Sequence, residues 1–335
     1  MSRWTFTKGL HDLGNGCLAY LQPDGGWGYS NAGLIVDGDR TLLVDTLFDK
    51  PLTAEMLASM RSAIPAAKRI DRVVNTHAHP DHTAGNALVA DSEIIASLAT
   101  FEDMKRMSEG VDPIQKIMTN WQNFGEAGAY LHEVMGSRFD IAEREHVLPT
   151  RHFDSEMDLT VGDKQVHLKK IGPAHSRGDT LVHVPKDRIL FSGDVLFNQV
   201  HPAIVSVNIA NWIEACDHVL TLDVDVIVPG HGPIADLNAV RTQRDYLQYF
   251  QVEARKRFDA GMPVAEAALD ISIDAFRGWA DEERIFITVA NLYQSFGAPP
   301  PPMLDMMALA GRYRRDKMAC GPGCTHQHHS HTHGG

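Results

Sequence analysis

Four groups able to hold a metal ion fall within six residues of one another. His77, His79, Asp81 and His82 stand in the run His77-Ala78-His79-Pro80-Asp81-His82, directly after Val73-Val74-Asn75-Thr76. Two imidazoles two positions apart in an extended loop can point to one side and grip one cation. Pro80 then turns the chain, so that Asp81 and His82 can reach a second one. Imidazole combined with carboxylate suits Zn²⁺, and also iron or manganese. Three further residues are of ligand type: His175 in Gly172-Pro173-Ala174-His175-Ser176, Asp194 after Ser192-Gly193, and His231 between Gly230 and Gly232. Each closes an apparent strand, and open α/β sheets gather their sites along such strand ends. Glycine near each lets the backbone turn sharply there.

These loops need elements to hold them in place. From Cys17 to Asp49 the chain reads as short strands, with Asp37-Gly38-Asp39 as a hairpin turn. Residues 51–66 show helical spacing through Leu52, Met56, Leu57, Met60 and Ile64, with Pro51 suited to a first turn. Residues 70–76 read as a buried strand, a helix is expected from about Thr83, and 93–97 as the next strand. This alternation argues for a layered α/β domain. Residues 98–147 read as a helical insertion that forms a lid over the site. Strands resume at about 157, a helix is expected over 209–221, and a strand runs into His231. Beyond Pro233 the pattern is helical to Phe296; Pro299–Pro302 interrupts it, and a final helix is expected over 303–317.

Composition narrows the partners. The chain has 335 residues, 31 basic and 43 acidic, with a net charge of −12. Phosphate backbones repel such a chain, so nucleic acid is not an expected partner. With 44% hydrophobic and 22% charged residues it is an ordinary globular mixture, not a fibrous or disordered one. Four cysteines are too few for a disulfide scaffold. Cys17 and Cys216 read as core thiols. No apolar stretch reaches the roughly 18 residues of a membrane span, so a cytoplasmic protein without a membrane partner is expected. Residues 319–335 read as a disordered tail in which Cys320, Cys324, His326, His328, His329, His331 and His333 could capture metal.

The series Thr-His-Ala-His-Pro-Asp-His (76–82), Gly-Pro-Ala-His-Ser (172–176), Ser-Gly-Asp (192–194) and Pro-Gly-His-Gly (229–232) occurs in an order that resembles the metallo-β-lactamase superfamily. The resemblance covers roughly residues 15–235, and Asp194 is similar to the glyoxalase II and lactonase branches. It implies an α/β fold, a four-layer αββα sandwich over residues 1–235, with the 98–147 insertion and a helical C-terminal extension at 236–318. It also implies that His77, His79 and His175 hold one metal, that Asp81, His82 and His231 hold a second, and that Asp194 bridges both. Asp45, which ends Leu42-Leu43-Val44, would orient a ligand from behind. Two Zn²⁺ ions about 3.5–4 Å apart, or iron or manganese in their place, would share a hydroxide, with Asp81 handling its proton.

The function so implied is hydrolysis of a carboxylic ester, thioester or lactone of a small molecule. The alternatives are β-lactam or amide hydrolysis and an iron-dependent oxidoreductase on the same fold. The stretch from Ile189 to Val240 holds no Lys or Arg, and Phe197 stands three residues past Asp194, which weighs against binding a β-lactam carboxylate. Met104, Met107, Ile117, Met118, Trp121, Phe124 and Tyr130 are the expected lining groups from the insertion, and Leu196–Val207 a further wall. An apolar, uncharged mouth of this kind suits an acyl or aryl group better than a polyanion. Arg255, Lys256 and Arg257 are available as basic contacts from the C-terminal helices.

Overall fold

The computed structural model describes residues 4–110, 113–141, 144–204 and 208–320. Among these, seven strands form one sheet in chain order: β1 (Gly9–Gly14), β2 (Cys17–Leu21), β3 (Ala32–Asp37), β4 (Arg40–Val44), β5 (Arg72–Val74), β6 (Glu93–Ser97) and β7 (Arg151–Phe153). The first four pair antiparallel and the rest parallel. The second sheet holds β8 (Glu156–Val161), β9 (Lys164–Lys170), β10 (Thr180–Val184), β11 (Ile189–Phe197) and β12 (Val226–His231), with β12 parallel to β11.

Period-two alternation places the layers. Cys17, Ala19, Leu21, Ile35, Leu42, Val44, Val74 and Ile95 face the second sheet, where they meet Val166, Leu168, Val182, Val184, Ile189 and Phe191. Their neighbours Leu18, Tyr20, Leu34, Leu43, Val73 and Ile94 face outward, against Met56, Leu57 and Met60 of helix α1 (Lys50–Ala63). Leu181, Leu190 and Ile227 of the second sheet pack outward with residues of later helices, including Trp212, Cys216 and Val240. The result is helix, sheet, sheet, helix. Burial of each such side chain contributes about 1.5–3 kcal/mol. Asp49 begins α1 by accepting from Leu52 N at 2.8 Å.

The helices after α1 are α2 (Pro80–Thr83), α3 (Leu98–Glu109), α4 (Pro113–Thr119), α5 (Gly125–Leu131), α6 (Ile209–Val219), α7 (Leu237–Asp259), α8 (Val264–Asp270), α9 (Ile285–Ser295) and α10 (Met303–Cys320). The insertion is helical, and α5 runs into a π-helical turn at His132–Gly136. Helix α10 folds back on α5. A methyl group at Gly311 would lie 2.8 Å from Tyr130 Cβ, so glycine is what allows this approach. Tyr130, Leu131 and Val134 of the insertion share one apolar cluster with Ile287, Leu292, Met307 and Ala310 of the C-terminal region.

Several expectations are corrected here. The helix placed from Thr83 starts at Pro80, because proline suits a first turn, and it spans four residues. It stops before Gly85, where any side chain would collide with Thr53. Strands β1 and β7 carry too little apolar pattern to be read from sequence: β1 has one buried residue in six and β7 one in three. The final helix runs on to Cys320. Cys17 and Cys216 are buried free thiols, each pushed up to about 12 by burial. The tail residues from Cys324 to His333 lie outside the described residues. No described helix is long and apolar enough to cross a membrane.

Candidate metal centre

The seven residues singled out in sequence come together on one edge of the sandwich. His77 and His79 lie in the loop that follows β5, and α2 carries Asp81 and His82. His175 comes from the loop between β9 and β10, Asp194 from β11 and His231 from the end of β12. One ligand atom each from His77, His79, His175 and Asp194 lies within 4.8 Å of the others, and Asp81, His82 and His231 form a second such group.

Asp194 reaches into both groups. Its Oδ2 is 3.2 Å from His175 Nε2 and 3.6 Å from His231 Nε2, and its Oδ1 is 3.1 Å from His82 Nε2. Asp81 Oδ2 lies 3.2 Å from His231 Nε2. Asp194 sits inside β11 and not past its end. The pairing of β11 with β12 slips at Gly193, whose φ of +51° turns the following residue into the site. A side chain at Gly230 would collide with Asp194 Oδ1, so the neighbouring strand needs glycine there.

The groups behind the imidazoles fix their orientation. Asp45 accepts from Thr76 N and Thr76 Oγ1, both at 2.7 Å, and lies 2.9 Å from His82 Nδ1. A carboxylate only accepts, so His82 carries its proton on Nδ1 and turns Nε2 toward Asp194. His231 Nδ1 donates to Gly25 O at 3.0 Å, which leaves its Nε2 facing the acids. Asp45 holds a left-handed φ of +62°, a conformation that aspartate tolerates better than most residues. Asp179, not anticipated from sequence, accepts from Ala174 N, Ser176 N and Ser176 Oγ, and so pins the loop that carries His175. Burial pushes its carboxyl up to about 7. The signal available was its place four residues after His175.

The electrostatics divide the centre in two. Burial holds His77 and His79 below the usual histidine range, and His175 down to about 3, so these three imidazoles are neutral. Burial works against charge on His82 and His231 too, yet the carboxylates of Asp194 and Asp81 outweigh it. They raise His82 well above its ordinary value and His231 to about 9. Asp81 and Asp194, buried among these histidines, are held well below the carboxylate range.

His77 Nε2, His82 Nε2 and Asp194 Oδ1 are fully buried without a hydrogen-bond partner, although the last two lie close together. An unsatisfied buried polar atom costs about 1–3 kcal/mol. Imidazole nitrogens and carboxylate oxygens converging in this way, several of them unsatisfied, are the donor set of a divalent cation, so the residues present fit a metal pair.

The family model described as the metallo-beta-lactamase superfamily matches residues 25–231, more than half of the chain. The chain belongs to the metallo-β-lactamase superfamily. It is 24% identical to the 2,4-dinitroanisole O-demethylase subunit alpha of Nocardioides sp., over 79% of this chain and 66% of that one. It is 22% identical to a linear primary-alkylsulfatase of Pseudomonas sp. (66% of this chain, 46% of the relative). It is 23% identical to a human acyl-coenzyme A thioesterase (60% and 72%). The solved sec-alkylsulfatase of Pseudomonas sp. superposes with a TM-score of 0.64 at 16% identity, covering 87% of this chain and 50% of that one. A metallo-β-lactamase from Pontibacter korlensis superposes at 0.54 and 17% identity, with 71% of this chain and 98% of that one covered. The chain thus spans about half the length of the alkylsulfatases and 66% of the demethylase subunit.

In this superfamily member a cavity of about 540 Å³ opens onto the metal edge, lined there by His79, Asp81, His175, Asp194 and His231. Of the lining groups expected from the insertion, Met107 and Met118 reach it, joined by Ile114, Leu131 and Met135. Met104, Ile117 and Tyr130 are buried in packing instead, Phe124 packs against the core, and Trp121 stacks on His132. The wall expected at Leu196–Val207 contributes Phe197, stacked flat on His231 at 5.0 Å, and Ala203.

The expectation of an uncharged mouth is overturned, because Arg144 and Arg284 line the cavity. Arg255, Lys256 and Arg257 do not reach it; they pair with Asp259, Glu253 and Asp270. Arg284 is fully buried, its guanidinium carbon 4.2 Å from the Trp27 ring centroid, its Nη2 2.7 Å from Asp281 Oδ2, and its Nη1 donating to His201 O.

Proposed function

We propose that this chain is a zinc-dependent dinuclear hydrolase that cleaves a carboxylic ester, thioester or lactone of a small molecule. The observation that carries the reading is the Asp194 carboxylate, buried between three neutral imidazoles and the Asp81, His82 and His231 group. His77, His79 and His175 would hold one cation, Asp81, His82 and His231 the other, with Asp194 shared. When bound, two such cations polarise a carbonyl and make water nucleophilic at neutral pH.

The side chains supply the remainder. Asp81, at the cavity wall, accepts the proton of the attacking water and returns it to the leaving oxygen or sulfur. Asp45 and the Gly25 carbonyl hold His82 and His231 in the tautomer that presents Nε2. The apolar cavity keeps bulk water away from the acyl group. Curated relatives that include a thioesterase and an alkylsulfatase support ester-type chemistry.

The test is metal quantitation of the purified chain with residues 321–335 removed, so that the tail histidines do not contribute, followed by assays on esters, thioesters, lactones and β-lactams. Two equivalents of zinc and ester or thioester turnover, lost in His77→Ala, are expected. Iron with visible absorbance and no hydrolysis would replace this reading with the oxidoreductase one.

A further inference from the structure

The cavity has a composition the metal chemistry does not require. Six of the chain's 13 methionines line it: Met107, Met118, Met135, Met303, Met306 and Met307. They come from two separate parts of the sequence, the insertion (α3, α4 and the turn after α5) and α10. Neither part supplies a proposed metal ligand. Methionine is unbranched and flexible, and its polarizable sulfur adapts to an apolar partner without fixed shape. The aromatic groups Trp27, Phe48 and Phe197 are lining residues as well, but they come from the domain that carries the metal ligands.

Arg284 is the polar counterpart. It lines the same cavity and is 1% exposed, and its Nε has no hydrogen-bond partner among the described residues. Its Nη1 donates to the His201 carbonyl and its Nη2 pairs with Asp281, so its charge is offset. A cation already offset in this way adds little attraction for a polyanion.

We propose that the substrate is an ester or thioester of an unbranched fatty acid, its chain lying among the cavity methionines. This rests on the hydrolase reading above and names its substrate class. Water adds hydroxyl to the acyl carbon as the C–O or C–S bond breaks. The leaving oxygen or sulfur takes the proton, and no oxidant or reductant enters.

The experiment uses the full chain and the 4-nitrophenyl esters of acetate, butyrate, octanoate and laurate. Expected is a rise in kcat/KM from acetate to octanoate, by up to about fourfold per buried methylene. Met306→Trp should lower the octanoate-to-acetate ratio at least tenfold. In parallel, octanoate but not acetate should raise the melting temperature of the zinc-free protein, a readout independent of turnover. Equal turnover across the series with no thermal shift overturns the chain pocket and leaves the hydrolase reading standing. No turnover of any ester, with the octanoate shift intact, overturns the hydrolase reading and keeps the pocket. Turnover of octyl sulfate in place of octanoate esters overturns the carboxylic substrate class alone.

Discussion

The Asp45 carboxylate lies 2.9 Å from His82 Nδ1 while Thr76 donates to it twice, so one buried acid fixes both the His82 imidazole and the loop that carries His77. Asp45→Asn keeps the shape but offers an amide N–H to groups that are already donors. Metal affinity at the Asp81, His82 and His231 group should fall about 10–100-fold, with the other group less affected. Competition with a chelator followed by metal analysis measures this. Unchanged affinity at both groups would show that Asp45 does not orient His82.

The two halves should load at different pH. His77, His79 and His175 are neutral in the metal-free chain, whereas His231 is raised to about 9 and is protonated at pH 7. A cation must displace that proton, so binding at the second half tightens as pH rises toward 9, by about tenfold per unit for each proton lost. The sign for folding is opposite. His231, raised above its unfolded value of 6.5, contributes stability fully below 6.5 and loses it as pH rises through about 9. Titration calorimetry should find one tight zinc site at pH 6 and two at pH 8.5. Two equally tight sites at pH 6 would contradict the division.

The candidate cluster was legible because four of its residues fall within six positions and the other three lie in or just after strands beside glycine, and the layered fold was legible from period two. The cavity was not. Residues 98–147 read as helical, but which of their faces meets the site depends on α10 folding back across α5 at Gly311, a contact between residues 181 positions apart in sequence (Tyr130 and Gly311). The basic run Arg255–Arg257 drew attention by its density, and its charges are spent on Glu253, Asp259 and Asp270. Arg284, which does reach the cavity, sits alone in its segment and gains meaning only from Trp27 more than 250 positions earlier.

Removing the shared acid should cost more than removing either set of imidazoles. Asp194→Asn keeps a similar volume but takes away the negative charge that offsets two cations beside each other. Expected is less than one equivalent of metal and loss of nearly all hydrolysis, with the fold retained by circular dichroism. Full occupancy at two equivalents would show that Asp194 is not shared.

Two ion pairs of α10, one to Glu283 in the C-terminal region and one to Glu126 in the insertion, differ in burial, and the difference should be measurable. Arg314 donates to Glu283 at 2.8 Å, and Glu283 is buried beside Tyr130, whose hydroxyl donates to it at 3.2 Å. Burial already pushes the Glu283 carboxyl up. Arg314→Ala strands that acid and should lower stability by about 3 kcal/mol. Arg312 pairs with Glu126 in solvent, both about half exposed, so Arg312→Ala should cost less than about 1 kcal/mol. Urea unfolding at low and high salt separates them: the Arg312 effect fades with salt, and the Arg314 effect persists because its partner is shielded from solvent. Equal losses in both variants would show that burial does not separate the two pairs.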